Sequence, residues 1–367
     1  MPAWRCRHAA AAPISNVRGR LRLALQHALC LGHSGLADGH SAERAAVLYG
    51  PPEVLELTEL PTPVPARDEV LVRVLATTVS SADWRLRSLQ LPAGFGPLGR
   101  LAFGIRAPRK AVLGTEFCGR VQALGPDVTQ FKVGDEVVAY PGARLGAHAE
   151  FCCAAAAGPI ARKPSNLSHE QAAALCFGGA TMLDFFRRAA LRGGEHVLVN
   201  GACGTVGSAA VQLARHVGAH VTAVCSSANV EWVRSIGADH VIDYSRDDFS
   251  LGGKTYDVVV DTAGTAPFNR SRRVLTEGGR LLLVSATLAE MLRAPWVNLT
   301  SHFKVIAGPT AERPEYVHEL VRLAEAGHFL PVIDRCYPFA QMRDAHRYVD
   351  LGHKRGSVVV CLEDRLA

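Results

Sequence analysis

From Ala45 onward the chain uses two patterns of apolar and polar positions, and the change between them falls at Ser168. Before it, apolar runs are short and punctuated by turns. Ala45 to Tyr49 reads as a strand stopped by Gly50-Pro51-Pro52, and Val54 to Leu57 resumes it. Glu69 to Ala76 alternates as a half-buried strand does, and Phe131 to Ala139 reads as a strand entered through a tight Gly134-Asp135 turn. Short strands joined by turns predict a small β-barrel.

Ser168-His169-Glu170-Gln171 ahead of an alanine-rich run is a capping box, with Ser168 at the N-cap and Gln171 at N3, and it opens a helical region. Beyond it, His196 to Asn200, His220 to Cys225, His240 to Ile242, Asp257 to Asp261 and Arg280 to Ser285 are apolar runs separated by helix-like stretches. Lys304 to Ala307 adds a sixth. That alternation predicts a doubly wound parallel sheet. After Pro309 come a helix over 312–326, a strand over 333–337, a helix over 340–349 and a strand over 357–362. The return to the earlier style assigns this tail to the first domain. The expected division is therefore 45–168 with 309–367, and 169–308 inserted between them.

The strongest chemical signal is Val197-Leu198-Val199-Asn200 running into Gly201-Ala202-Cys203-Gly204-Thr205-Val206-Gly207. Val206, Ala210, Leu213 and Val217 follow at helical spacing and stop at Gly218, so the glycine turn sits between a strand and an amphipathic helix. Amide groups at such a helix start face a pyrophosphate, and glycines let the main chain approach it. The spacing is G-x-x-G-x-x-G, not the commoner G-x-G-x-x-G. Its place within alternating strands and helices, more than the glycines alone, points to a dinucleotide.

Which dinucleotide depends on the end of the second strand, where an NAD site places a carboxylate for the ribose 2′-hydroxyl. Here the residues are Val224-Cys225-Ser226-Ser227-Ala228-Asn229. With no carboxylate to repel a 2′-phosphate and with hydroxyls and an amide to donate to it, NADPH is expected over NADH. That loop holds no Lys or Arg. Arg234 on the next helix is either a phosphate partner or a solvated helix charge.

Composition narrows the function classes. The 367 residues exceed ordinary single-domain size, and 48% hydrophobic with 20% charged residues describes a globular protein. The net charge of +6 suggests a polyanion partner, yet residues 1–44 hold six arginines against two acids, which leaves only two net positive charges elsewhere. No nucleic-acid partner is expected. The ten cysteines include no C-x-x-C pair, so neither a metal site nor disulfides are expected, and a reducing, cytoplasmic location is. Residues 1–44 read as a disordered extension or an early start codon, with a mitochondrial presequence as the alternative. Their apolar stretch, Leu21 to Leu31, is too short to span a bilayer.

Several motifs together resemble the medium-chain dehydrogenase/reductase superfamily, nearest its quinone oxidoreductase branch. They are Tyr49-Gly50-Pro51-Pro52-Glu53-Val54-Leu55, the Phe131 to Val137 turn, Phe177-Gly178-Gly179-Ala180-Thr181, the turn Asn200 to Gly207, and Ser235 to Tyr244. The resemblance runs from Ala45 to Leu362. It implies an α/β fold in which a Rossmann doubly wound sheet (169–308) joins a GroES-like β-barrel catalytic domain (45–168 and 309–367), with the active site between them and a homodimer as the assembly. It also implies that Thr181 and Ser285 lie near the nicotinamide and Tyr244 near the adenosine, although Tyr244 could equally cap a strand. Expected cofactor contacts are Thr181, Gly201, Gly204, Thr205, Val206, Gly207, Ser226, Ser227, Tyr244 and Ser285.

Zinc members of that superfamily carry Gly-His-Glu where this chain reads Gly114-Thr115-Glu116, and a cysteine where it reads Ser80 or Ser81. The four-cysteine structural lobe is also missing, since Ala139 to His148 is a short loop, so no metal is expected. Ser80 stands where relatives place an Asn that lines the quinone site. Asp83 reads as a helix N-cap more than a general acid, and the Tyr49 hydroxyl or water could protonate the product. Tyr49, Ser80 and Asp83 are thus the catalytic candidates. The apolar stretch from Pro92 to Arg109 reads as a long loop that either covers the substrate or packs in the core. The expected reaction is hydride transfer from NADPH to a small-molecule acceptor, a quinone or α,β-unsaturated carbonyl. An alcohol dehydrogenase or enoyl reductase on the same fold, and a non-catalytic NADPH-binding protein, are the alternatives.

Overall fold

In a computed structural model, which describes residues 40–46 and 48–362, strand β1 (His40–Ala46) pairs antiparallel with β2 (Leu55–Pro61). The expectations for residues 1–39 lie outside the described residues. β1 ends before Tyr49, which sits in a bend, because Pro51 and Pro52 open a one-turn 3₁₀ helix over Pro52–Val54 instead of prolonging the strand.

β3 (Glu69–Val79) is followed by helices α1 (Ser81–Ser88) and α2 (Gly96–Phe103), then by β4 (Phe117–Leu124), β5 (Glu136–Ala139), β6 (Phe151–Ala155) and β7 (Ile160–Arg162). β4 and β6 both pair antiparallel with β3. The apolar stretch expected as a loop is therefore partly α2, which stops at Gly104, a residue at φ +128°. The expected strand from Phe131 is shorter, only β5. Residues 131–135 turn instead, closed by Asp135 N–H on the Lys132 carbonyl (3.1 Å) and Lys132 N–H on the Asp135 carboxylate (3.1 Å).

Helix α3 (His169–Ala173) starts at Ser168 with both halves of the capping box formed, and α4 (Cys176–Ala189) follows. Then come β8 (His196–Asn200), α5 (Thr205–Val217), β9 (His220–Cys225), α6 (Val230–Ser235), β10 (His240–Asp243), β11 (Tyr256–Asp261), α7 (Phe268–Ser271), β12 (Leu275–Leu283), α8 (Leu288–Thr300) and β13 (Lys304–Ala307). Six of these strands form an all-parallel sheet ordered β10-β9-β8-β11-β12-β13. Numbered from β8, that order is 3-2-1-4-5-6, the doubly wound dinucleotide-binding arrangement, with its switch point between β8 and β11.

Helix α9 (Pro314–Glu325), β14 (Ile333–Pro338), α10 (Met342–Asp350) and β15 (Ser357–Cys361) complete the described chain. β15 pairs antiparallel with β3, Val358 opposite Val79, so the tail joins the sheet built by the first half. Val197, Leu198, Val199, Val258, Val259 and Val260 have no exposed surface, as central parallel strands covered on both faces require. Each such side chain contributes about 1.5–3 kcal/mol of burial.

Candidate active site

The switch point places the glycine turn beneath an open cavity of about 550 Å³. Gly201, at φ +82°, lets β8 reverse into α5, and Thr262 clamps the turn by donating to the Asn200 and Gly201 carbonyls (2.9 and 3.0 Å). Gly207 must lack a side chain because a Cβ there would stand 2.1 Å from the Gly201 carbonyl oxygen. At Gly204 the missing Cβ leaves open space, with no heavy atom nearer than 3.9 Å, so a ligand can approach the start of α5. This is a cradle of the size and chemistry that a dinucleotide pyrophosphate needs.

Two cations that the sequence reading had not singled out line the same cavity. Lys354 Nζ is buried against α5, donating to Thr205 Oγ1 (2.5 Å) and the Gly356 carbonyl (2.6 Å), and burial lowers its pKa from the usual lysine value to about 8. Arg355 donates to the Ala228 carbonyl (3.2 Å), beside the loop that follows β9. Both come from the short segment between α10 and β15, about 150 residues from the glycine turn, so no local motif could have announced them.

A second cavity of about 760 Å³ adjoins the first, and Ser81, Phe177, Val206 and Thr262 line both. Its walls include Leu86, Leu113, Phe103 and Phe185, together with the charged side chains Arg109, Lys110 and Glu312, and its size is typical of small-molecule sites. Arg85 projects into it from α1 and donates to the Ser285 hydroxyl (3.2 Å). Among the described residues no carboxylate pairs with Arg85, and desolvation lowers its pKa. It is a desolvated cation beside an apolar cavity.

The expected site residues separate into three groups. Gly201, Gly204, Thr205, Val206, Gly207, Ser226 and Tyr244 line the smaller cavity, while Thr181 and Ser285 line the larger. Ser227 lines neither, since its hydroxyl binds the Asp243 carboxylate and the Ser245 hydroxyl. Asp243 ends β10 in register with Cys225, so a carboxylate does stand near the end of β9, contributed by the neighbouring strand.

Tyr49, Ser80 and Asp83 line neither cavity. The Tyr49 hydroxyl donates to the Gly104 carbonyl (2.9 Å), and burial raises its pKa. The N-cap of α1 is Ser80, not Asp83, because Asp83 occupies N3 of a capping box. Its carboxylate accepts from Ser80 N–H (2.8 Å), Ser80 Oγ (2.6 Å) and Gly114 N–H (2.9 Å), which ties α1 to the Gly114 turn. Ser80 reaches the larger cavity only indirectly, through Thr115 Oγ1 at 3.4 Å.

Glu116 joins the two sheets' surroundings. Its buried carboxylate accepts from Thr78 Oγ1 (2.7 Å) and from Cys176 and Phe177 N–H at the start of α4 (2.9 and 2.7 Å), and desolvation raises its pKa to about 7. Among the described residues, no three His, Cys, Asp or Glu side chains are grouped so as to hold a metal ion.

Comparison with known proteins supplies the family context. Residues 66–231 match the alcohol dehydrogenase GroES-like domain, and residues 236–360 match the family described as zinc-binding dehydrogenase. The chloroplast envelope quinone oxidoreductase homolog of Arabidopsis thaliana is 32% identical over 324 residues, covering 83% of this chain and 93% of that protein. The chloroplastic NADPH-dependent alkenal/one oxidoreductase of the same plant is 29% identical over 324 residues, covering 85% and 77%. Among solved structures, the quinone oxidoreductase from Coxiella burnetii superposes with a TM-score of 0.78 at 27% identity, covering 89% of this chain and 100% of that one.

Proposed function

Since the chain belongs to the medium-chain dehydrogenase/reductase superfamily, in its quinone oxidoreductase-like branch, we propose that it transfers a hydride from NADPH to a quinone or an α,β-unsaturated carbonyl without a metal. The observation that carries this reading is the continuity of the two cavities: a glycine-turn cradle flanked by Lys354 and Arg355 opens into an apolar cavity holding Arg85. Relatives named for quinone and alkenal/one reduction support the acceptor class.

In this proposal the α5 amides and Lys354 hold the pyrophosphate, and Tyr244 and Ser226 flank the adenosine end. Arg355 supplies the positive charge that the loop after β9 lacks, which favours a 2′-phosphate and therefore NADPH over NADH. The Asp243 carboxylate is engaged by Ser227 and Ser245 and lies 3.7 Å from Arg246, which offsets it. When bound, the nicotinamide supplies the hydride; the protein's own part is orientation and charge. Thr181 and Ser285 stand at the junction side of the larger cavity, and Arg85 stabilises the negative charge that grows on the acceptor oxygen. Tyr49 is engaged away from the cavity, so bulk water is the proton source that fits this site best.

A metal-free mechanism is supported by the donors themselves. Thr115, and Ser80 or Ser81, stand where zinc relatives place ligands, and none of them is a zinc ligand type. We divide the chain functionally into 45–168 with 309–367, and 169–308. A homodimer fits the exposed apolar side chains Leu292, Trp296 and Leu299 of α8, beside β13 at the edge of the parallel sheet. Among the described residues no cysteine is joined in a disulfide, which fits a reducing compartment, the cytoplasm.

The direct test of hydride transfer uses NADPH carrying deuterium at both C4 positions of the nicotinamide and an enone acceptor. Deuterium in a carbon–hydrogen bond of the reduced product supports the proposal; its absence from product formed by the purified protein overturns it.

A further inference from the structure

Cys203 lies in the glycine turn and Cys225 ends β9, and both line the dinucleotide cavity. The backbone brings the two segments together: Ala202 N–H donates to the Val224 carbonyl at 3.2 Å, and Asn200 pairs with Val224 in the parallel ladder. Cys203 directly follows Ala202 and Cys225 directly follows Val224, so both side chains leave neighbouring, hydrogen-bonded backbone segments at one wall of the cavity. Both thiols stand at one wall of the binding cavity, Cys225 at the edge of the hydrophobic core and Cys203 packed against that core from within the glycine turn.

We propose that Cys203 and Cys225 form a reversible disulfide under peroxide and that this bond weakens NADPH binding, so that the cofactor site is redox-gated. The inference rests on the cofactor reading given above. The hydrogen bond from the Cys203 thiol holds the Cys225 thiol below its usual range, while the same bond and burial push Cys203 up. Cys225 is therefore the nucleophile and Cys203 the resolving partner.

In the first step the Cys225 sulfur attacks one peroxide oxygen. An S–O bond forms, the O–O bond breaks, and the leaving oxygen departs as water after taking a proton. In the second step the Cys203 sulfur attacks the Cys225 sulfenic acid; the S–S bond forms, the S–O bond breaks, and a second water leaves with the Cys203 proton. Two thiols lose two electrons and two protons, and one hydrogen peroxide is reduced to two waters.

The consequence for binding follows from position. A covalent bond between the turn and the end of β9 draws Cys203 toward the strand and displaces the amides that start α5, where the cradle is tight enough that Gly207 tolerates no Cβ. Linkage makes the effect reciprocal: whatever factor oxidation takes from NADPH affinity, bound NADPH takes from the tendency to oxidise. The hydrogen-bonded thiols of Cys336 and Cys361, on β14 and β15 and outside the cavity, provide an internal comparison.

The test uses the full chain, reduced with dithiothreitol, desalted and exposed to hydrogen peroxide with and without saturating NADPH. Disulfides are then mapped by peptide mass, and NADPH affinity is titrated before and after. Expected are a Cys203–Cys225 linked peptide two hydrogens lighter than its parts, suppression of that link by NADPH, and an affinity about tenfold weaker or more, restored by dithiothreitol. For Cys203→Ser and Cys225→Ser, each compared with its own reduced form, peroxide leaves the affinity unchanged. Absence of the link, a link without loss of affinity, or an equal loss in both variants overturns the proposal. Failure of the reduced wild-type protein to bind NADPH would instead sink the cofactor reading beneath it, so the two failures are distinct.

Discussion

Arg85 on α1 donates a 3.2 Å hydrogen bond to the hydroxyl of Ser285, just beyond β12, so a cation from the antiparallel part of the fold reaches the parallel-sheet side of the larger cavity. Nothing of opposite charge pairs with it among the described residues. A guanidinium held this way is pre-oriented toward an acceptor oxygen and pays no reorganisation when charge develops there.

Arg85→Ala is expected to lower kcat by about 10²-fold or more, the range for losing one donor to a developing oxyanion. Arg85→Lys recovers part of the loss, and NADPH affinity changes little in either variant. Steady-state kinetics with one enone or quinone, paired with cofactor titration, separates this from a misfolded protein. An Arg85→Ala enzyme with unaltered kcat contradicts the role.

Lys354 makes cofactor affinity depend on pH. Burial sets its pKa at about 8, so its ammonium form predominates below that value and is lost as pH rises through it. A bound pyrophosphate favours the charged form, and NADPH affinity should therefore fall above pH 8 in the wild-type protein. In Lys354→Met the affinity is weaker at pH 7, by about tenfold for a charge-assisted contact of 1.5 kcal/mol, and nearly flat from pH 7 to 9. Fluorescence titration of NADPH across that range is the measurement; an equally steep profile in the variant contradicts it.

Much of this architecture was legible along the chain, and the reasons differ from element to element. β8, β9 and β13 follow the expected bounds residue for residue; β8 and β9 do so because an inner parallel strand is a continuous apolar run that ends where the chain turns polar. β12 was expected to start at Arg280 but begins at Leu275, since the polar and glycine positions Glu277, Gly278 and Gly279 hide its first half. Phe131 looked like strand because it is apolar, yet it packs against the barrel core from within a turn. In the site, the glycine turn was local and therefore readable. Lys354, Arg355 and Arg85 were not, since their meaning depends on β15 returning to β3 and on α1 facing β12, and solvated helix charges look the same in one dimension. Asp83 was expected at the helix start as its N-cap, but Ser80 holds that place, and only the capping box reveals that the groups of both residues are consumed there.

His346 should make the fold acid-sensitive. It is fully buried on α10, neither ring nitrogen has a protein partner, and burial, the His148 ring 5.6 Å away and the Arg87 guanidinium hold its pKa well below 6.5. A histidine depressed in the folded state contributes stability that is present above its unfolded value and lost as pH falls below it. Each pH unit below about 6.5 is expected to cost up to about 1.4 kcal/mol until the folded value is reached. His346→Leu flattens that decline. Urea denaturation at pH 7 and pH 5 checks it, and an identical pH decline in both proteins contradicts it.

The apolar face of α8 predicts the assembly state. Trp296→Glu combined with Leu299→Asp should convert a particle of twice the 39.2 kDa chain mass into one of 39.2 kDa in sedimentation equilibrium. A wild-type particle already at the single-chain mass contradicts the homodimer.

The most direct test of the central claim is nicotinamide oxidation by the purified protein, with NADPH and NADH compared over quinones, enones and aldehydes, each with and without a chelator. Turnover is expected to be unaffected by the chelator, faster with NADPH, and confined to quinones or enones. Turnover abolished by the chelator, a preference for NADH, or NADPH binding without turnover on any acceptor would contradict that claim.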